Sequence, residues 1–119
     1  MPHGLVIMEW NVRSGAELVI KYPEKVLLDQ RVMLRIYDIH EYASKEGITA
    51  FTDDNVNIIS YYSGPKEKLY IILVLTILED PDDYVEILEK VSQIIIKNAK
   101  DYQFMKLLPG LWEKIIKKE

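Results

Sequence analysis

Histidine and cysteine, the side chains that most often serve in catalysis near neutral pH and in transition-metal binding, are scarce in this chain. The chain contains two histidines and no cysteine, which excludes disulfides, thiolate zinc sites and cysteine nucleophiles. His3 belongs to the terminal segment, whereas His40 falls at the edge of a helical apolar stripe with Tyr37, Glu41 and Ser44 around it. A catalytic or metal-binding histidine needs several converging partners. We therefore predict that His40 is structural.

A run of carboxylates at Glu79, Asp80, Asp82 and Asp83 could suggest a site for a hard cation, as could the shorter run at residues 53–55, which is read first as a turn. Calcium loops alternate oxygen ligands around a glycine bend, whereas Pro81 stands in the middle of this run. Asp80 is suited to cap a helix, and Pro81 is suited to its first position. The carboxylates that follow would meet the positive end of the helix dipole. The run therefore predicts a helix start.

Residues 63–66, Ser-Gly-Pro-Lys, place a glycine shortly before a lysine. They lack the spacing and the following helix of a phosphate-binding loop, so they predict a hairpin turn. The motifs of serine hydrolases, zinc proteases and dinucleotide-binding enzymes do not occur. We expect a protein that is not an enzyme, with no cofactor and no metal.

The apolar segments predict the element order β-β-α-β-β-β-α-α. Two strands are expected at residues 5–10 and 16–22, and the alternation of the second is typical of an edge strand. Residues 25–45 contain no glycine or proline and predict a long amphipathic helix. Its core stripe contains Leu28, Val32, Ile36, Ile39 and Ala43. Strands at 48–52, 56–62 and 68–78 follow, with a polar turn at 53–55.

The strand at 68–78 is apolar on both faces, so we expect it to be central and covered by helices on both sides. A helix begins at Pro81 and carries an apolar stripe as far as Tyr102. After a break at Pro109 and Gly110, the tail predicts a short last helix. The fold class is α+β: a five-stranded, mostly antiparallel sheet with one helix on one face and the C-terminal helices on the other.

Length and charge restrict the function classes further. The chain has 119 residues, of which 49% are apolar, so residues 1–119 are expected to form a single domain. A net charge of −4 gives no attraction to nucleic acid or anionic lipid.

An RNA-stacking platform would need an open sheet face. The aromatic residues on the expected strands that could form such a platform are Trp10, Phe51, Tyr61, Tyr62 and Tyr70. A central covered strand argues against it. We expect a cytoplasmic protein with no nucleic-acid partner and no direct membrane insertion.

This order of elements resembles the longin domain, a profilin-like α/β/α sandwich. The resemblance is carried by the hairpin at 5–22 around Ser14-Gly15, the helix at 28–44, the strands at 48–78 and the helix that starts at Asp80-Pro81. The roadblock family is a close cousin, but it opens with a helix. The resemblance implies a non-catalytic adaptor, scaffold or regulator. Its partners would be a small Ras-like GTPase, a membrane-traffic protein, or another longin or roadblock domain in a homodimer or heterodimer.

A second apolar patch on the long helix is the candidate contact surface. Opposite the core stripe, Leu27 and Leu34 are flanked by Gln30 and Tyr37. Charged residues border the patch, namely Arg31, Arg35, Asp38, Glu41 and Lys45. Large apolar residues rimmed by charge are typical of protein contacts.

The strand at 48–52 is the other candidate. If it is an edge, its backbone groups near Ile48, Ala50 and Thr52 are able to pair with a second subunit.

An alternative function is a small-molecule sensor of the PAS or profilin-like kind. Such a domain would need a cavity between the sheet and a helix, with polar groups inside it. Glu9, on an otherwise apolar strand, is the one hint of this in the sequence.

Overall fold

The structure is a computed structural model that describes residues 1–43, 46–53 and 55–117. The strands are β1 (Gly4–Asn11), β2 (Gly15–Tyr22), β3 (Gly47–Asp53), β4 (Val56–Tyr62) and β5 (Leu69–Val74). The α-helices are α1 (Gln30–Ala43), α2 (Val85–Lys97) and α3 (Leu108–Ile116), with 3-10 segments at Pro81–Tyr84 and Lys100–Leu107. The predicted α+β class and element order are confirmed. The predicted helix end at Lys45, the middle of the turn at Asp54 and the terminal Lys118 lie outside the described residues.

All five strands form one antiparallel sheet in the order β2-β1-β5-β4-β3. β5 is the middle strand, and every one of its residues is buried. β2 and β3 are the two edges. The predicted central position of β5 and the predicted edge position of β2 are therefore confirmed. The physical reason is that a strand with two apolar faces gains most from burial when other layers cover both of them.

The two faces of the sheet pack against different helices. Val6, Tyr70 and Ile72 belong to a cluster that includes Met33 and Ile36 of α1. Residues one position along in the same strands belong to a second cluster. Its members from β1 and β5 are Leu5, Ile7, Leu69, Ile71 and Leu73, and its helical members include Leu88, Val91, Ile95, Leu111 and Ile115. Strand side chains alternate between faces, so α1 contacts one face and α2 and α3 contact the other.

β5 ends at Val74, four residues before the predicted end at Leu78. The chain turns at residues 76–79, where Glu79 N donates to Thr76 O at 3.1 Å. The buried Asn57 side chain donates to Thr76 O at 2.8 Å and to Glu79 O at 2.7 Å. The Glu79 carboxylate accepts from the Thr76 amide at 2.7 Å and from the Tyr84 hydroxyl. These bonds favour the turn over continued strand pairing.

α1 begins at Gln30, five residues after the predicted start at residue 25. The Asp29 carboxylate accepts from the Arg31 amide at 2.8 Å, a bond of the kind that fixes a helix N-terminus. Leu27 therefore precedes the helix.

The C-terminal region also differs from its prediction. α3 runs through Pro109 and Gly110 without a break, because proline is tolerated in the first turn of a helix. The chain bends instead at Asp101 and Tyr102, which both have left-handed backbone angles, with φ of 56° and 55°.

None of the helices in the described part of the chain is long and apolar enough to cross a membrane.

Exchanging Asn57 for Asp tests the turn that ends β5. Asn57→Asp keeps the shape of the side chain but removes both N–H donors and places a carboxylate beside two carbonyl oxygens. Because buried unpaired acceptors are costly, we expect the free energy of unfolding to fall by about 2–3 kcal/mol. Urea denaturation at neutral pH measures this loss. Gln103→Glu makes the same change from amide to acid at an exposed position and serves as the control.

Candidate functional site

β3 is an edge strand without the usual protection against pairing. Its register with β4 is continuous from Gly47, opposite Tyr62, to Asp53, opposite Val56. Residues 47–52 carry no charge, and Ala50 and Thr52 are exposed. No other strand of the described residues pairs with the outer side of β3. An uncharged edge with a continuous register is a template for an additional strand.

The opposite edge, β2, is protected in the ways that natural sheets use. Its register with β1 shifts between Ile7 and Met8, so that it contains a bulge. It carries Glu17 and Lys21. Tyr22, at its end, packs edge-on against Trp112 of α3 with 6.4 Å between ring centroids. Bulges and charges discourage pairing, so the two edges differ in their capacity to bind another strand.

The part of α1 that borders β3 presents one exposed polar stripe. Arg31, Arg35, Asp38 and Tyr42 are spaced by four, three and four residues, which places them along one side of a helix. The Arg35 guanidinium lies 4.9 Å from the centroid of the Phe51 ring of β3. This cation–π contact joins the stripe to the free edge. We call Arg31, Arg35, Asp38 and Tyr42 the α1 stripe.

The sequence-predicted contact residues do not all lie together. Leu27 is 83% exposed but precedes α1, and Leu34 on the helix is 43% exposed. Ile48 is half-buried and packs on the core beneath α2 and α3. The remaining residues of the prediction that are exposed are Gln30, Arg31, Arg35, Ala50 and Thr52.

Tyr37 was expected on the outer patch, and the structure corrects this. Its ring is half-buried and stacks on Trp10 with 3.6 Å between centroids. Tyr37 lies one and four residues from Ile36 and Met33, which are both buried, so it shares the inward side of α1.

Tyr42 and Phe51 belong to this surface but were missed in the sequence. The Tyr42 side chain is 95% exposed, and its spacing from Arg35 and Asp38 is the signal that identifies it. A large exposed aromatic residue is a common anchor in protein contacts. Phe51 could be assigned to the α1 side only once the register of β3 was known.

His40 lies on the inward side of α1 and is buried, with 1% of its surface exposed. Its Nε2 lies 2.7 Å from Ser60 Oγ and 3.3 Å from Thr49 Oγ1, and the two hydroxyl oxygens are 3.3 Å apart. The ring also packs at 5.8 Å from Tyr62 and 5.7 Å from Tyr70. Burial lowers the pKa of His40 to about 4, so the imidazole is neutral at neutral pH. Substrate has no access to this serine–histidine pair, and its contacts join α1 to β3 and β4.

Asp80, within the run of carboxylates, caps the 3-10 segment that precedes α2. Asp80 accepts from the Asp82 amide at 2.9 Å, and Pro81 occupies the first turn. Across the described ranges, no three histidine or carboxylate side chains are grouped closely enough to hold a metal ion.

No family model matches the chain, and no curated protein matches its sequence.

The buried histidine predicts a pH dependence of stability. The pKa of His40 is about 4 in the folded protein, against 6.5 for an ordinary histidine. The unfolded chain therefore binds the proton more readily, and stability that is present above pH 6.5 is lost as the pH falls toward about 4. We expect a loss of at most about 3 kcal/mol over this range.

Chemical denaturation at a series of pH values measures this loss. In His40→Gln the slope between pH 6.5 and about 4 should largely disappear, whereas His3→Gln, which alters the exposed histidine, should retain it. An unchanged slope in His40→Gln would show that other groups cause the dependence.

Proposed function

We propose that this protein is a non-catalytic protein-interaction module that pairs through the free edge of β3 and the adjoining α1 stripe. The observation that carries the proposal is the contrast between the two sheet edges. β2 contains a bulge and charged residues, whereas β3 is regular and uncharged over residues 47–52. An unprotected edge is a liability for a free monomer, and a partner strand would remove it.

The partner that the surface favours is a second copy of the same chain. A twofold axis beside Ala50 would pair two β3 strands antiparallel and place the two α1 helices antiparallel on the same side of the joined sheet. The α1 stripe has arginines in its N-terminal half, at 31 and 35, and a carboxylate in its C-terminal half, at Asp38. In a twofold pair each Arg35 would therefore approach Asp38 of the other copy. This charge order is self-complementary.

Tyr42 and Leu34 would supply apolar contact in such a pair. Tyr42 is 95% exposed and Leu34 is 43% exposed, and burying them would stabilise an interface whose strand pairing gives mainly backbone hydrogen bonds. The cavity of about 470 Å³ between α1 and β3, which Arg31, Arg35 and Phe51 help to line, adds a concave surface at the same place.

The resemblance to longin domains supports the same class of function. It suggests an adaptor, scaffold or regulator in a system of small Ras-like GTPases or membrane traffic, located in the cytoplasm. A related longin or roadblock domain would present an equivalent edge, so the same pairing could also form a heterodimer with such a domain. We propose membership of the longin family together with this function.

A charge introduced on the β3 edge tests the pairing. Ala50→Lys adds a long cation at an exposed position in the middle of β3, and we expect it to weaken self-association at least tenfold, which corresponds to about 1.4 kcal/mol. Leu18→Lys makes a comparable change at an exposed position on the other edge strand, β2, and should leave self-association unchanged. Sedimentation equilibrium measures both dissociation constants, and circular dichroism confirms that both variants fold.

Two results would contradict the pairing. One is a wild-type protein that sediments as a monomer at every concentration. The other is a dimer that Leu18→Lys disrupts and Ala50→Lys does not, since this would place the interface on β2.

A further inference from the structure

Charge is distributed unevenly along the chain. Residues 97–117 contain five lysines and two carboxylates, at Asp101 and Glu113, and therefore have a net charge of +3. The whole chain has a net charge of −4, so the rest of it has a net charge of −7. The argument that net charge gives no attraction to anionic surfaces applies to the chain as a whole and not to this segment, because local charge decides contacts at short range.

The chain enters this segment through a strained bend. Asp101 and Tyr102 have φ of 56° and 55°, in the left-handed region that is unfavourable for residues other than glycine. The Tyr102 hydroxyl donates to the Glu9 carboxylate of β1 at 2.8 and 3.0 Å. The amide of the buried Phe104 donates to Asn98 O at 3.0 Å. Strained backbone held by tertiary contacts is common at functional sites, and here it fixes the direction of the residues that follow.

Exposed lysines and exposed apolar side chains occur together after the bend. Tyr102, Met105 and Leu107 are 42%, 37% and 38% exposed. Three exposed lysines are interspersed with them along the chain, at positions 100, 106 and 114. We call the surface formed by Lys100, Tyr102, Met105, Lys106, Leu107 and Lys114 the C-terminal face.

α3 contributes its outward side to the C-terminal face. Its buried residues, Leu108, Leu111, Trp112 and Ile115, belong to the core. Leu107, Gly110 and Lys114 are exposed and are separated by three and four residues, which places them along the opposite side of the helix. A Cβ atom at Gly110 would meet no described atom within 4 Å, so packing does not require this glycine. Its lack of a side chain allows a surface to approach the backbone closely.

The lysines of the C-terminal face are not neutralised within the part of the chain that the structure describes. Lys100, Lys106 and Lys114 form no ion pair there. The Glu113 carboxylate, which lies beside Lys114 in the sequence, pairs instead with Lys117 at 3.5 Å. The face therefore presents positive charge that an external anionic surface is able to satisfy.

We propose that the C-terminal face binds reversibly to the surface of a bilayer that contains anionic lipids. The lysine ammonium groups would lie among the headgroup phosphates and carboxylates. The side chains of Met105 and Leu107 and the ring of Tyr102 would contact the boundary between the headgroups and the acyl chains. No residue of β3 or of the α1 stripe takes part, so the proposal does not depend on pairing through β3.

The combination of side chains favours a bilayer over a soluble acidic protein. Lysines alone would match an acidic protein surface, which offers no apolar layer for Met105 and Leu107. At a membrane interface the flexible lysine stems reach the headgroups while apolar and aromatic side chains lie deeper. Each lysine close to an anionic bilayer contributes about fivefold to the binding constant. Three lysines therefore contribute about a hundredfold, which gives weak and reversible attachment.

Co-sedimentation of the whole chain with lipid vesicles tests the proposal. One set of vesicles is pure phosphatidylcholine, and the other contains about 30% phosphatidylserine. We expect the chain to bind the second set at least tenfold more tightly. Because salt screens exposed charges, this binding should weaken severalfold when the salt concentration rises from about 50 mM to about 300 mM.

Reversing two lysines locates the charged contact. In the double variant Lys106→Glu/Lys114→Glu we expect binding to phosphatidylserine vesicles to fall at least tenfold, whereas Lys106→Arg/Lys114→Arg should bind within about twofold of the wild type. Lys25→Glu/Lys68→Glu changes the net charge by the same amount at exposed positions that line cavities on the α1 side of the sheet. It should lower binding by less than about threefold.

Removing apolar side chains separates a bilayer from an acidic protein. Met105→Gln/Leu107→Gln should weaken vesicle binding by about threefold to tenfold, because less apolar surface leaves water. Leu27→Gln/Leu78→Gln makes the same kind of change at positions that are 83% and 93% exposed outside the C-terminal face and should bind as the wild type does. Circular dichroism confirms that every variant folds. Sedimentation equilibrium shows whether a variant has lost self-association, so that the two proposals are judged separately.

Three outcomes would overturn the proposal. The first is equal binding to the two sets of vesicles. The second is a loss in Lys25→Glu/Lys68→Glu as large as the loss in Lys106→Glu/Lys114→Glu. The third is no binding to phosphatidylserine vesicles together with binding to the soluble polyanion poly-L-glutamate, which would indicate an acidic protein as the partner of the C-terminal face.

Discussion

The fold depends on one constraint: the middle strand of the sheet is apolar on both of its faces. β5 is buried throughout, so water must be excluded from both sides of the sheet. Burial of this strand and its neighbours is favourable by about 25 cal/mol for each square ångström of apolar surface removed from water. α1 and the C-terminal helices cover one face each, and β2 and β3 are left at the edges. The surfaces available for function are therefore the two edges, the outer sides of the helices and the cavities where a helix meets the sheet.

The same constraint separates two surfaces that share α1. The outer side of the helix, with Arg35 over Phe51, continues the free edge of β3 and presents charge and one exposed tyrosine. Another side of the helix contributes Tyr37 and Glu41 to a cavity that Trp10, Tyr62 and Tyr70 also line. Between them, His40 holds the helix to β3 and β4 through Thr49 and Ser60. A change at this buried contact would affect both surfaces, because both depend on where α1 lies on the sheet.

Much of the architecture could be predicted from the sequence because it follows from local patterns. Alternation and runs of apolar residues identify the strands, the absence of glycine and proline identifies α1, and the two apolar faces identify β5 as central. Element ends were less predictable. The side-chain hydrogen bond of Asp29 makes α1 begin later in the chain than predicted. The side-chain hydrogen bonds of Asn57 make β5 end earlier than predicted, and the groups that Asn57 contacts are far from it in the sequence.

The sites were only partly predictable for a related reason. The charged residues of α1 and the edge strand could be named, because exposure on a helix and at an edge follows from periodicity. Tyr37 was misplaced because an aromatic residue beside a core stripe is able to face either way, and stacking on Trp10 decides its direction. The cavity lined by Trp10, Tyr37, Tyr62 and Tyr70 could not be predicted, because β1, α1, β4 and β5 come together there only after the register of the sheet is fixed.

Amide hydrogen exchange as a function of protein concentration tests the central claim, that the free edge of β3 is a pairing surface, most directly. If the claim is correct, the outward-facing amides within residues 47–53 will exchange slowly at high concentration and faster on dilution. The outward-facing amides of β2 will not respond to dilution, because its bulge and charges prevent pairing. Fast exchange in β3 that does not depend on concentration would contradict the account.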